Sequence, residues 1–353
     1  MSGVTFRSRI GVRRGPRLRG LTWLIWRQNR TAFWIGLAAA AAVAVYAAVQ
    51  HQHITAAVTA QHLDACHGHE YSTPCLSRLN SFGQHQQFPM RRPLQVMLLL
   101  PFLFGLFLGG PQLAQELESG TYRTVATQSV TRMRWFAAKL GVPLAMTVII
   151  SGVIAAAMTW WWHPVARAMG PLFRWPEWYP FYGVGPVVVG LGVLFYLLGT
   201  TLGLLLRRTV LAMGATLVTG AGLFALLERA RPHLWPTHTA YAQHTANPPV
   251  PKTAWLLADG PLSPDGRRVS EAWDCYAADD IKRCLTSHGI TGRWAEYHPA
   301  SDLWPLQWTT TGLCLALGAV LIVLSAGWVR GGFGIRSRKA PAAPPRRAGV
   351  RCR

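Results

Sequence analysis

The sequence predicts an all-α polytopic membrane protein with six transmembrane helices and both termini on the cytoplasmic side. Three observations carry this. First, six separated stretches are long, apolar and free of Asp, Glu, Lys, Arg and His: 31–50, 94–113, 140–162, 184–206, 209–227 and 306–329. Each meets the length of about 20 apolar residues that crosses a ~30 Å hydrocarbon core. Second, the charge between them is sorted by side. If the N-terminus is cytoplasmic, the segments on that side hold 22 of the 35 Lys and Arg, offset only by Glu116 and Glu118. The outer loops hold 13 basic and 12 acidic residues, so the excess obeys the positive-inside rule. Third, the N-terminal arm RSRIGVRRGPRLRG lacks the pattern of a cleavable signal. The apolar run behind it starts too late and is too long, so it stays in the plasma membrane as an anchor.

In chain order, residues 1–20 are a basic cytoplasmic arm, 21–330 the transmembrane domain and 331–353 a basic cytoplasmic tail. The stretch LTWLIWRQNR, 21–30, places Leu21, Leu24 and Ile25 at helical spacing and ends on Arg27 and Arg30. It reads as an amphipathic helix in the inner interface, or as an inward extension of the first span. The first outer loop, 51–93, is polar and His-rich. The second, 163–183, gathers Trp175, Trp178 and Tyr179 with prolines, as an interfacial re-entry or aromatic belt would. The third, 228–305, is long, acidic and Pro-rich, with too little apolar content for a large core. Gly105–Gly109 and Gly199–Gly203 are GxxxG pairs, which predict close helix approach inside the bundle. Pro101 and Pro143 are candidate kinks.

Net charge +21 and a pI near 10.9 would suggest nucleic acid as the partner of a soluble protein. Here the excess is juxtamembrane, where it sets topology and attracts an anionic leaflet by about 1 kcal/mol per residue. The partner it implies is the lipid bilayer and no nucleic acid. The cysteines sort in the same way. Cys66 and Cys75 fall in the first outer loop and Cys275 and Cys284 in the last, each pair enclosing eight residues. An oxidising compartment favours the local disulfides Cys66–Cys75 and Cys275–Cys284, although cross-loop pairings stay open.

Several chemistries are excluded by what the chain lacks. No acidic or basic side chain lies within a span, where ion pumps and proton-coupled carriers place one. There is no GxxxxGK[ST], HExxH or GxSxG motif, so no phosphate loop, zinc protease or serine hydrolase is visible. The chain itself is expected to catalyse nothing and to bind no cofactor. Two rival sites are weaker. His51, His53, His62, His67, His69 and His85 cluster with Cys66 in the first outer loop, but their spacing matches no metal frame. Glu228, Arg229 and Arg231 end the fifth span as interface anchors or as a gate.

The most specific segment is the inner loop GGPQLAQELESGTYRTVATQSVTRMRWFAAKLG, 109–141. Glu116 and Glu118 stand at a helix end, and Gly120 permits a left-handed turn behind them. Thr121 onward can start a short helix that leads through Thr131–Arg134 into the third span. This segment resembles the cytoplasmic loop of type-2 ABC exporter permeases, which reads E-x-G-T ahead of a short helix and a basic approach to span three. LTWLIWRQNR resembles that family's connecting helix. LLLRRTVLAMGATL and EYHPASDLWPLQW resemble segments of a branch common in high-GC actinobacteria. The resemblance runs from about residue 21 to 330 and implies the membrane subunit of an ATP-driven exporter. A separate ABC ATPase would bind ATP and Mg²⁺, and a second permease, identical or related, would complete the assembly. Glu116, Glu118, Gly120 and Thr121 would be coupling-loop residues, with Arg123 as a neighbour. Spans without charge suit a hydrophobic or amphipathic substrate. The competing class is a non-transport sensor or scaffold that binds ligand through its outer loops.

Overall fold

A computed structural model describes residues 21–63, 73–120, 131–169, 174–243, 248–269, 275 and 281–331. Its helices are α1 (Leu21–Ala60), α2 (Thr73–Met97), α3 (Leu99–Leu103), a π-helical turn (Phe104–Gly109), α4 (Gly110–Glu118) and α5 (Arg132–Met169). They continue with α6 (Trp178–Gly183), α7 (Val187–Leu206), α8 (Thr209–Ala230), α9 (Ile281–Ser287) and α10 (Leu303–Arg330). Among the described residues, six helical segments are long and apolar enough to cross a membrane, and each contains or closely overlaps one expected stretch.

The first span is longer than expected. Nothing in LTWLIWRQNR or in the Ala-rich run after it breaks a helix, so α1 is continuous over 40 residues. At 1.5 Å per residue it is about twice the length a bilayer core requires. Residues 21–30 are its first turns, with no break before the span. The segment expected as the first outer loop is likewise largely helical among the described residues, because α1 runs to Ala60 and α2 begins at Thr73.

The second span is broken into pieces. Pro101 cannot donate to the preceding turn, and three glycines and Pro111 follow closely. The result is α3, the π-helical turn and α4 in succession. The glycines also set the packing. A Cβ on Gly199 would strike the Gly105 carbonyl oxygen, one on Gly203 that of Gly110, and one on Gly109 that of Tyr196. The two GxxxG pairs therefore face each other across one crossing, and the backbones of α7 and the second span touch. The third, fifth and sixth spans also pack on α7, whereas α1 packs along α5.

At the opposite end of the bundle, the second outer loop folds inward. Residues Tyr179–Gly183 of α6 are buried, and the chain turns through Gly185 at φ +74° into α7. Unpaired carbonyls there would be costly in a dry setting. Gln307 of α10 supplies donors, with Nε2 3.1 Å from the Phe181 carbonyl and 3.2 Å from that of Val184. The Gly185 N–H donates to Thr159 Oγ1 at 2.9 Å, and a Cβ on Gly185 would strike Gln307.

The fold class needs one correction: the chain is not all-α. Its 228–305 segment carries a three-stranded antiparallel sheet in the order β1–β3–β2, with β1 His238–Gln243, β2 Trp255–Leu262 and β3 Gly292–His298. Its satellite core is small, made of Cys275, Leu285 and Ile290 with Cys284 packed against them. The expected Cys275–Cys284 disulfide is present and staples that core. The expected Cys66–Cys75 pairing lies outside the described residues. The sheet is bolted to the bundle by buried polar contacts. Trp175 Nε1 donates to the Thr253 carbonyl at 2.9 Å, and buried His298 places Nε2 3.1 Å from the Pro232 carbonyl and Nδ1 3.1 Å from Asp302. Arg231 is 3% exposed. It pairs with Glu228 at 3.0 Å, donates to the Pro176 carbonyl and stacks 4.4 Å from the Trp255 ring and 4.7 Å from that of Phe181. This residue, expected at the interface or in a gate, locks α8, α6 and the sheet together.

The glycine crossing yields a test with an internal control. Gly199→Ala forces backbone against backbone and is expected to destabilise the protein by about 1–3 kcal/mol. Gly214→Ala, on the same bundle but with open space at its Cβ, should be neutral or stabilising by up to about 1 kcal/mol. Thermal unfolding in detergent reads the contrast.

Candidate functional site

The expected coupling loop leaves the bundle at the face that carries Leu21 and Arg330. Helix α4 ends at Glu118, where the Ser119 N–H closes the last turn on the Gln115 carbonyl at 2.9 Å. Gly120 then takes φ +70°, the left-handed turn its sequence position suggests. On the far side, Thr131 caps α5 by accepting the Arg134 N–H at 3.3 Å. Thr121 and Arg123 lie outside the described residues.

The two acids do different things. Glu118, expected at the helix end, stands there and turns back toward the bundle. Its Oε2 accepts both the backbone N–H and the hydroxyl of Thr209, each at 2.9 Å. Thr209 is the first residue of α8, so the carboxylate sits at that helix's N-terminus, where unpaired N–H groups and the helix dipole favour negative charge. The chain permits this approach because α7 and α8 are joined by only Arg207, at φ +56°, and extended Arg208.

Glu116 faces the other way, into a partly buried polar knot. It pairs with Lys139 of α5, whose Nζ also donates to Gln28 Oε1 of α1 at 2.9 Å. One turn back along α4, Gln112 Nε2 donates to Asn29 Oδ1, and Asn29 Nδ2 donates to the Ile25 carbonyl at 2.9 Å. Apolar packing surrounds the knot, with Ile25, Leu113, Ala114 and Phe136 nearly inaccessible. Lys139 itself is 7% exposed, a burial that an ammonium tolerates when paired and hydrogen-bonded. Helix α4 is thus tied by side chains to α1, α5 and α8, and by glycine contact to α7.

The sequence identified Glu116, Glu118 and Gly120 but missed Gln28, Asn29, Gln112, Lys139 and Thr209. A signal existed: polar amides and a lysine lie at the ends of apolar runs on the same side of spans one, two and three. Of the first-loop histidines, His51 stacks flat on Trp160, 4.0 Å between ring centres, so it is a packing residue. Among the described residues, the grouping with metal-ligand spacing is Cys275, Cys284 and His288, and its two sulfurs are bonded to each other.

The knot predicts a non-additive mutant pair. Lys139→Met strands Glu116 and should cost about 1–3 kcal/mol of stability. The double variant Glu116→Leu/Lys139→Met should recover part of that loss, because replacing both partners leaves no buried charge. A double-mutant cycle of unfolding midpoints in detergent measures the coupling.

Comparison with known proteins follows the same outline. No curated protein and no solved structure matches the chain significantly. A family model described as ABC-2 membrane transporter related matches residues 37–231, more than half of the chain. The match runs from the first span to Arg231 and includes α4, the glycine crossing and the Glu118–Thr209 contact. With six membrane-spanning helices and this match, the chain is a multi-pass membrane protein that belongs to the ABC-2 membrane transporter related family.

Proposed function

We propose that the chain is the permease subunit of an ATP-driven exporter, with both termini cytoplasmic and the α4–α5 connection serving as its coupling element. A separate ABC ATPase supplies ATP binding and hydrolysis, and a second permease, identical or related, completes the pore. The cargo is hydrophobic or amphipathic, in keeping with spans that carry no charged side chain in their cores. The observation that supports this reading is the tethering of α4. A push delivered at residues 119–131 cannot move α4 alone. Glu118 carries it to the N-terminus of α8, the Glu116–Lys139 pair carries it to α5, and the Gln112–Asn29 bond carries it to α1. The glycine contacts carry it to α7, the helix on which most of the bundle rests. Such a frame turns a local displacement into a rigid-body motion.

In this scheme Glu118 is a positioning residue: it transmits motion within the permease and leaves docking to the segment beyond Gly120. The test is co-expression with the ATPase encoded nearest the gene, affinity purification through the permease, and measurement of ATP hydrolysis in liposomes. The wild-type chain should retain the ATPase and stimulate it. Glu118→Ala should retain it but lose stimulation by about ten-fold, a typical coupling energy. If the wild-type chain holds no ATPase, the proposal fails and the sensor or scaffold reading replaces it. If Glu118→Ala stimulates as the wild type does, the transmission role of Glu118 fails alone.

A further inference from the structure

We infer that a cleft between α1, α2 and α5, on the side of the membrane that carries the sheet, binds one acyl chain of an anionic phospholipid with the phosphate held by Arg92. The cleft arises from how the spans are hung. Helix α1 packs along α5, while the second span packs on α7, and the gap between α1 and the start of the second span is not closed. It measures about 610 Å³, within the range of small-ligand sites.

Its chemistry is graded along the membrane normal. Arg92 and Tyr46 lie at the outer level. Val43 on α1 and Val96 on α2 lie about one turn deeper, and Met97 and Met158 also line the apolar part. Thioether side chains adapt to a flexible chain. A guanidinium at the headgroup level is a fork for a phosphate, and a tyrosine ring prefers that depth. Arg91 turns inward, 5.5 Å from the Tyr179 ring centre and 3.8 Å from Glu177, whereas Arg92 lines the cleft. Val96 is 57% exposed, so the groove opens sideways onto the region where acyl chains lie. Apolar walls with an adjacent cation at the interface complement an anionic amphiphile better than a zwitterionic one, whose ammonium Arg92 would repel.

The test uses the full-length protein purified in detergent and incubated with equimolar phosphatidylglycerol and phosphatidylcholine of matched chains. Retained lipid is then measured by mass spectrometry. Phosphatidylglycerol should be enriched about five-fold, the effect of one basic residue at a membrane surface. Arg92→Gln should bring the ratio to parity, whereas Arg92→Lys, which keeps the charge, should retain most of the enrichment. Val96→Trp, which fills the groove, should lower retention of both lipids and keep their ratio. A phosphatidylglycerol carrying a diazirine within the first several carbons of its acyl chain should label peptides containing Val43, Met97 or Met158. An unchanged ratio in Arg92→Gln, or labelling confined to other helices, would overturn the inference. So would Val96→Cys crosslinking to a second copy of the chain in liposomes, since a protein and not a lipid would then cover the groove.

Discussion

The rest of the bundle depends on one backbone-to-backbone contact, the crossing of α7 with the second span. In lipid, two apolar helices gain little by meeting, because the hydrocarbon around them is as apolar as their side chains. What holds them is dispersion at short range, and that requires side chains to be absent. Gly199 and Gly203 on one helix and Gly105, Gly109 and Gly110 on the other remove them. The same glycines weaken the α-helical pattern of the second span, which helps explain why its π-helical turn falls at the contact. With this pair fused, α7 is enclosed on all sides. Its neighbours α8 and α10 need only one face for it and present the other to lipid, while α5 also carries α1.

Outside that crossing, the strong polar contacts lie at two levels. At the end carrying Leu21 and Arg330 are the Glu116–Lys139 knot and the Glu118–Thr209 cap. At the end carrying the sheet are Gln307, Arg231 and His298. Between them, serine and threonine hydroxyls mostly bond their own helix, as Thr200, Thr216 and Thr310 do, with Thr201 and Ser325 bridging α7 and α10 at 3.0 Å. This arrangement follows from desolvation. Charge is tolerable near the interfaces and expensive at mid-membrane, so the bundle is pinned at its ends and packed by shape in its middle.

The sequence was most readable where one physical constraint acts alone. Span length and the absence of ionisable residues need no partner to be interpreted, and each of the six apolar runs contributes to a helix long enough to span. The glycine pairs and the Cys275–Cys284 bond were legible because spacing and compartment narrow the alternatives. The sheet was not. Its strands are six to eight residues long, β2 is interrupted by Gly260 and Pro261, and their exposed faces resemble a polar loop. The direction of Glu118 was also hidden. Its partner is 91 residues away, and only the tight α7–α8 turn brings Thr209 within reach.

The manner in which α8 is held connects these points to motion. Its buried residues are few, Ala212, Thr216, Gly220 and Leu227, and large apolar side chains such as Val210, Val218 and Leu226 are exposed to the bilayer. Along its length it rests on α7 and the second span through small residues in close contact, Gly220 against Phe195 and Thr216 against Gly105. Its two ends are fastened more firmly, by Glu118 at Thr209 and by the Glu228–Arg231 pair under Trp255. A helix held along one narrow face and pinned at both ends carries displacement along its axis better than it deforms across it. Under the proposed function, movement of the α4–α5 connection would then reach the sheet on the opposite face through α8. In that scheme the polar pins would define the path, and the glycine crossing would keep α4 and α7 moving together with it.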